Sequence, residues 1–84
     1  MKKPYDLVGQ NGNAFSLMGY TKDAMREAYR EAQRNQDEEA MKLFGRDGQD
    51  ALMKDAMSLN YDHLVAVLND MIQEVNAYLG LEEE

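Results

Sequence analysis

Four basic side chains at regular intervals form the sequence pattern with the clearest chemical meaning. They recur every fourth residue, so on a helix they align as one row. Guanidinium and ammonium groups bind the oxygens of carboxylates and phosphates. We call these four residues the basic stripe, and their spacing predicts an interaction surface for an anion or an acidic partner. The basic stripe consists of Lys22, Arg26, Arg30 and Arg34.

The acidic residues between these basic side chains give the basic stripe a second interpretation. Each of the three arginines follows an acidic residue by three positions, a spacing that permits ion pairs on a helix surface. Such exposed pairs contribute little to stability and are typical of an ordinary solvated face. This interpretation is favoured over the anion site. The predicted pairs are Asp23–Arg26, Glu27–Arg30 and Glu31–Arg34.

The residues suited to catalysis or metal binding are few. His63 is the single histidine and the chain has no cysteine. On a helical wheel, His63 falls on the polar side near Asp70 and Glu74, which favours a surface or capping role. The segment 47–50 lacks the alternating ligands and the distal glutamate of a calcium loop, so it predicts a turn. We expect no catalytic, cofactor or metal site, and no enzymatic activity.

Composition and charge restrict the partners of the chain. Its 84 residues suffice for one domain, and 44% hydrophobic residues suffice for a globular core. The net charge of −7 divides unequally, because residues 1–34 carry +2 and residues 35–84 carry −9. A negative field repels nucleic acid, so we expect a protein partner, either a host protein or a second copy. No segment resembles a signal peptide or a membrane span, which predicts a cytoplasmic location.

The N-terminal segment allows two structures. Residues 5–10 resemble a strand, and Asn11-Gly12 is a strong signal for a hairpin turn. The favoured prediction is a strand or extended arm, a turn at Asn11-Gly12, and a helix that begins at Asn13. The alternative is a hairpin that continues through Phe15 and Leu17. A lone strand leaves its backbone unpaired, so it must lie over the helices or pair with a second copy.

Apolar spacing predicts a small helical bundle of three to four helices after this arm. The expected helices cover residues 13–34, 37–44, 49–58 and 61–79, with residues 1–12 as the arm and turn. Residues 80–84 form an expected frayed acidic tail of a single helical domain. Six methionines fall at or near apolar positions and predict a malleable core, with a plastic groove for a partner helix as the alternative. They are Met18, Met25, Met41, Met53, Met57 and Met71.

Two motifs carry a family resemblance. Residues 6–15, DLVGQNGNAF, and residues 61–64, YDHL, resemble the paired motifs of a family of small uncharacterised bacterial proteins from phage and plasmid-like regions. The resemblance covers about the first 30 and the last 25 residues, whereas residues 35–50 look like an insertion. It implies an origin in a mobile element and implies no activity or functional residues.

These observations lead to two hypotheses for function. The first is a small protein-binding or modulator module whose acidic half occupies a basic surface of a host protein. The second is a structural homo-oligomer that binds a small anionic ligand through the basic stripe.

Overall fold

Four helices make up the described part of the chain. The computed structural model describes residues 2–81. Helix α1 spans Ala14–Asn35, α2 spans Glu38–Phe44, α3 spans Arg46–Ala56 and α4 spans Tyr61–Leu79. No strand occurs within residues 2–81. The structure therefore confirms a small helical bundle with an N-terminal arm, and the bounds of α4 are those predicted. None of the helices described is long and apolar enough to cross a membrane.

Two asparagines just before α1 supply hydrogen-bond acceptors at its start. The Asn13 side chain accepts a hydrogen bond from the backbone N–H of Phe15 at 2.9 Å, which caps the helix. The Asn11 side chain accepts one from the N–H of Asn13, also at 2.9 Å. The alternative of a hairpin through Phe15 and Leu17 is therefore wrong, because both residues belong to α1.

The turn before α1 lies upstream of its predicted position. The N–H of Gln10 donates to the carbonyl of Leu7 at 3.2 Å, so the chain turns at Val8 and Gly9. Gly9, the third residue of this turn, has a φ of +89°, which is characteristic of a type II turn. The predicted hairpin turn at Asn11-Gly12 is wrong, because the Asn11 side chain instead supports the start of α1.

Helix α3 differs from its predicted range. It begins at Arg46 rather than at residue 49, and it ends at Ala56 rather than at residue 58. Gly48, predicted as part of a turn, lies within the first turns of α3. The backbone of Gly48 packs closely against the end of α2, since an added Cβ would lie 2.1 Å from the Leu43 carbonyl oxygen. This glycine therefore permits contact between two helices instead of ending one.

The core consists of two adjoining clusters along α1 and α4. In the first cluster, Leu17 near the start of α1 lies with Leu64 and Leu68 near the start of α4. In the second cluster, Ala28 lies with Val75, further along both helices. The two helices therefore run in parallel, and α2 and α3 complete the core beside them.

The methionines are mostly core residues. Met25 is fully buried, and Met18, Met53 and Met71 are each no more than 8% exposed. These four confirm the prediction that methionines at apolar positions lie in the core. Met57 does not, because α3 ends one residue before it and its side chain is 57% exposed.

The N-terminal arm is held by side chains of α1 and α4. The Asn76 amide accepts from the backbone N–H of Tyr5 and donates to its carbonyl, both at 2.8 Å. The Tyr20 hydroxyl accepts from the N–H of Asp6 at 2.7 Å. Side chains thus provide the hydrogen bonds that a neighbouring strand would otherwise supply. The extended arm, rather than a strand, is the correct prediction for this segment.

The end of α4 carries a glycine cap. Gly80 has a φ of +69°, and its N–H donates to the carbonyl of Ala77 at 3.2 Å. The N–H of Leu81 donates to the carbonyl of Asn76 at 2.8 Å, which completes the cap. The remainder of the predicted frayed tail, residues 82–84, lies outside the described residues.

Candidate functional site

The basic stripe lies along α1, and two of its arginines bind their own acidic neighbours. The guanidinium of Arg26 lies 2.8 Å from the Asp23 carboxylate. The Nε of Arg34 donates to Glu31 at 3.0 Å. Both arginine side chains are more than half exposed, so these pairs are of the weak surface kind. Two of the three predicted ion pairs, Asp23–Arg26 and Glu31–Arg34, are therefore present.

The third predicted pair of the stripe is replaced by a contact with the arm. Glu27 accepts hydrogen bonds from the ammonium of Lys2 and from the hydroxyl of Tyr5, rather than pairing with Arg30. The Lys2 ammonium also lies 5.0 Å from the centre of the Tyr5 ring. The hydrogen bonds from Lys2 and Tyr5 lower the pKa of Glu27, while burial and the bond to Glu27 raise the pKa of Tyr5. Glu27 therefore attaches the arm to α1.

We expect acid to loosen this attachment. Because the pKa of Glu27 in the folded state is below its ordinary value of 4.5, its stabilisation is present above pH 4.5 and is lost as the pH falls through the lower folded value. The effect is measured by NMR as the protection factor of the Tyr5 and Asp6 amides, which is the intrinsic exchange rate at each pH divided by the observed rate. The Glu27→Gln variant should have lower protection factors at neutral pH, and acid should change them less. Equal profiles for both proteins would contradict the assignment.

His63 joins two helices. Its Nε2 lies 3.0 Å from the main-chain oxygen of Asp55 and 3.1 Å from the Asp55 carboxylate. The imidazole thus binds the last turn of α3 from the first turn of α4. The His63 side chain is partly exposed and bonds to the end of α3, and His63 lies on the same face of α4 as Asp70 and Glu74. No group of three or more potential metal ligands is present among residues 2–81.

A groove lies between α4 and the α2–α3 pair. Sequence reasoning gave a methionine-rich groove as an alternative but did not place it here; of those six methionines, Met71 lines this groove. Two surface hollows, of about 500 and 360 Å³, meet at Leu43 and Glu74, which line both. Leu43, on α2, is a large apolar side chain that is 41% exposed. We call this feature the α2–α4 groove. Its apolar floor includes Ala40, Leu43, Leu52, Val67, Met71 and Ala77.

The charged side chains that line this groove are all carboxylates, and none is basic. Asp37 accepts a hydrogen bond from the Tyr78 hydroxyl at 3.1 Å, and Asp55 is the partner of His63. The other carboxylates of the rim form no ion pair within the described part of the chain. The rim therefore presents a negative field beside an apolar floor. The rim carboxylates are Asp37, Glu39, Asp55, Asp70 and Glu74.

A weak signal for the groove exists in the sequence. Val67 lies at the boundary of the apolar arc of α4, between Tyr78 and Glu74 on the helical wheel. An apolar residue at such a boundary is ordinary by itself. It gains meaning only because α2 and α3 bring Leu43 and Leu52 beside it.

A second exposed apolar surface lies at the end of the bundle where α1 and α4 begin. Val8, Phe15 and Leu59 are each at least 73% exposed. The Tyr61 hydroxyl donates to the carbonyl of Gly12 at 2.6 Å, which joins the arm to the start of α4. Val8, Phe15 and Leu59 do not line the α2–α4 groove and provide a comparison for it.

Comparisons with known proteins assign the chain to no family. It matches no protein-family model, no curated protein and no solved structure.

Proposed function

We propose that this chain is a small, non-enzymatic protein-binding module that modulates a host protein, and that it originates from a mobile element. The α2–α4 groove is the observation that supports it most strongly, because an apolar floor is enclosed by five carboxylates without a basic side chain. Apolar surface surrounded by polar groups is typical of protein interaction sites. The motifs in residues 6–15 and 61–64 support the proposed origin.

Charge supports a basic protein surface as the target. Residues 35–84 carry a net charge of −9, so this half attracts a positive surface and repels nucleic acid. A nucleic-acid-binding face of a host protein has the required sign. His63 has a structural role in this proposal, because its imidazole is bonded to the end of α3.

Affinity capture from a bacterial lysate tests the proposed function. We expect the full-length chain to retain a specific protein at about 0.15 M salt, compared with resin carrying the tag alone. Retention should persist at about 0.3 M salt, because burial of an apolar floor is not screened by ions. Recovery of no specific protein, or only of weakly bound proteins that elute by about 0.3 M salt, would contradict the proposal.

A further inference from the structure

We infer that the α2–α4 groove binds an amphipathic helix that carries lysine or arginine on both sides of its apolar face. This inference rests on the proposed function and names the kind of partner segment that its groove accepts.

The length of the groove fits a short helix. Along α4, its lining residues run from Val67 to Tyr78 at intervals of three or four and occupy one face. Eleven residue steps at the helical rise span about 16 Å, or about three turns of a partner helix. Such a helix presents apolar side chains at the same intervals, so two hollows joined at Leu43 can receive successive anchors.

The charges of the groove determine the chemistry of the partner. Asp37 and Glu39 lie at one end, Asp55 lies at the other, and Asp70 and Glu74 lie along α4 between them. Basic residues on both flanks of a bound helix would therefore face carboxylates along its whole length. An acidic helix would be repelled at each of these positions.

The hollow on the other side of α2 shows that this uniform charge is local. That hollow contains Lys42 and Arg46 together with Glu38 and Asp47, so its charges balance. The general acidity of the chain therefore does not give every hollow a negative charge. Of these two surfaces, only the α2–α4 groove has an exclusively acidic lining.

A second copy of the chain fits the groove less well. The basic stripe on α1 offers positive charge, but the large apolar side chains exposed by more than one third on the described helices are Phe15, Leu43 and Tyr61. None of these accompanies Arg26 or Arg30 in the middle of α1. Two copies also repel each other through a net charge of −7 each.

Binding of a designed peptide tests the inference. The probe is a dye-labelled, acetylated and amidated helix of about 14 residues, with leucines three or four residues apart and lysines on both flanks. Fluorescence anisotropy with the full chain should show binding at least about tenfold tighter than for two controls. One control replaces the lysines by glutamates, and the other scrambles the order so that no apolar face remains.

Two variants locate the binding site. We expect Leu43→Ala and Glu74→Lys each to weaken binding of the lysine peptide about tenfold. Leu59→Ala removes an equally large exposed side chain outside the groove, and Asp50→Lys reverses a charge on the exposed surface of α3. These two matched controls should change binding by less than about twofold. NMR shifts of the backbone amides on titration should concentrate on α2 and on residues 67–78.

Several results would overturn the inference. They are equal binding of the glutamate peptide, unchanged binding by the two groove variants, or shifts concentrated at Phe15 and Leu59. Dimerisation of the chain alone, with Leu43→Ala restoring a monomer in light scattering, would assign the groove to a second copy. Lysate capture that is equal for the wild type and for a Leu43→Ala/Glu74→Lys double variant would reject the groove and preserve the proposed function. Peptide binding without any captured protein would support the groove and reject the proposed function.

Discussion

Replacement of Gly48 by alanine is expected to lower the free energy of unfolding by about 3 kcal/mol. An added Cβ would lie 2.1 Å from the Leu43 carbonyl oxygen and 2.6 Å from the Lys42 carbonyl oxygen. Both atoms belong to the backbone of α2, so relief requires the two helices to separate. In an open helix the same change would stabilise by about 0.5–1 kcal/mol, so the predicted effect has the opposite sign.

Thermal denaturation followed by circular dichroism measures this effect. For a domain of this size, a loss of about 3 kcal/mol lowers Tm by about 12–24 °C. Gly19→Ala is the matched control, because Gly19 also lies within a helix and an added Cβ there has no neighbour within 4 Å. That control should raise Tm slightly. Equal changes at both glycines would refute the close contact between α2 and α3.

Phe44→Ala is expected to cost about 3–5 kcal/mol. The Phe44 side chain is 1% exposed, and its ring centre lies 5.4 Å from that of Tyr78 on α4. Truncation removes apolar contacts and leaves a cavity where α2 meets α4. A domain of 84 residues has a total stability of about 4–13 kcal/mol, so this loss is a large part of it.

Urea denaturation measures the loss, with the adjacent residue as the control. Leu43→Ala should cost about 1 kcal/mol or less, because that side chain is 41% exposed. If Phe44→Ala does not fold, Phe44→Leu keeps most of the apolar volume and should cost about 1–2 kcal/mol. A similar cost for truncation of Phe44 and Leu43 would contradict the assignment of one to the core and the other to the groove surface.

Local signals explain why α4 could be predicted from the sequence. Asn60 supplies the N-cap, with its side chain 2.9 Å from the N–H of His63, and Gly80 ends the helix. Between them lies an apolar arc of helical spacing. Each of these signals acts within a few residues of the backbone that it determines. Asn13 acts in the same way at the start of α1.

Gly48 and Asn11 show where local reasoning fails. A glycine in a polar segment is usually a turn signal, but at Gly48 the absence of a side chain serves a contact with α2. Asn11-Gly12 is a common hairpin pair, but here the Asn11 side chain accepts a hydrogen bond from the backbone N–H of Asn13 just before α1. In both cases a neighbouring element decided between two roles that the residue type permits.

The candidate sites follow the same division. The sequence by itself determined the helical class, the bounds of α4, the acidity of the C-terminal half and the position of the basic stripe on α1. Only the tertiary structure decided that Glu27 binds Lys2 and Tyr5 instead of Arg30. It also placed Leu43 in the same hollow as Val67 and Glu74. The hydrogen bonds of a helix join residues within one or two turns, so the local sequence is enough to predict where a helix forms. A groove depends on where separate helices dock, because its floor and its charges come from segments far apart in the chain.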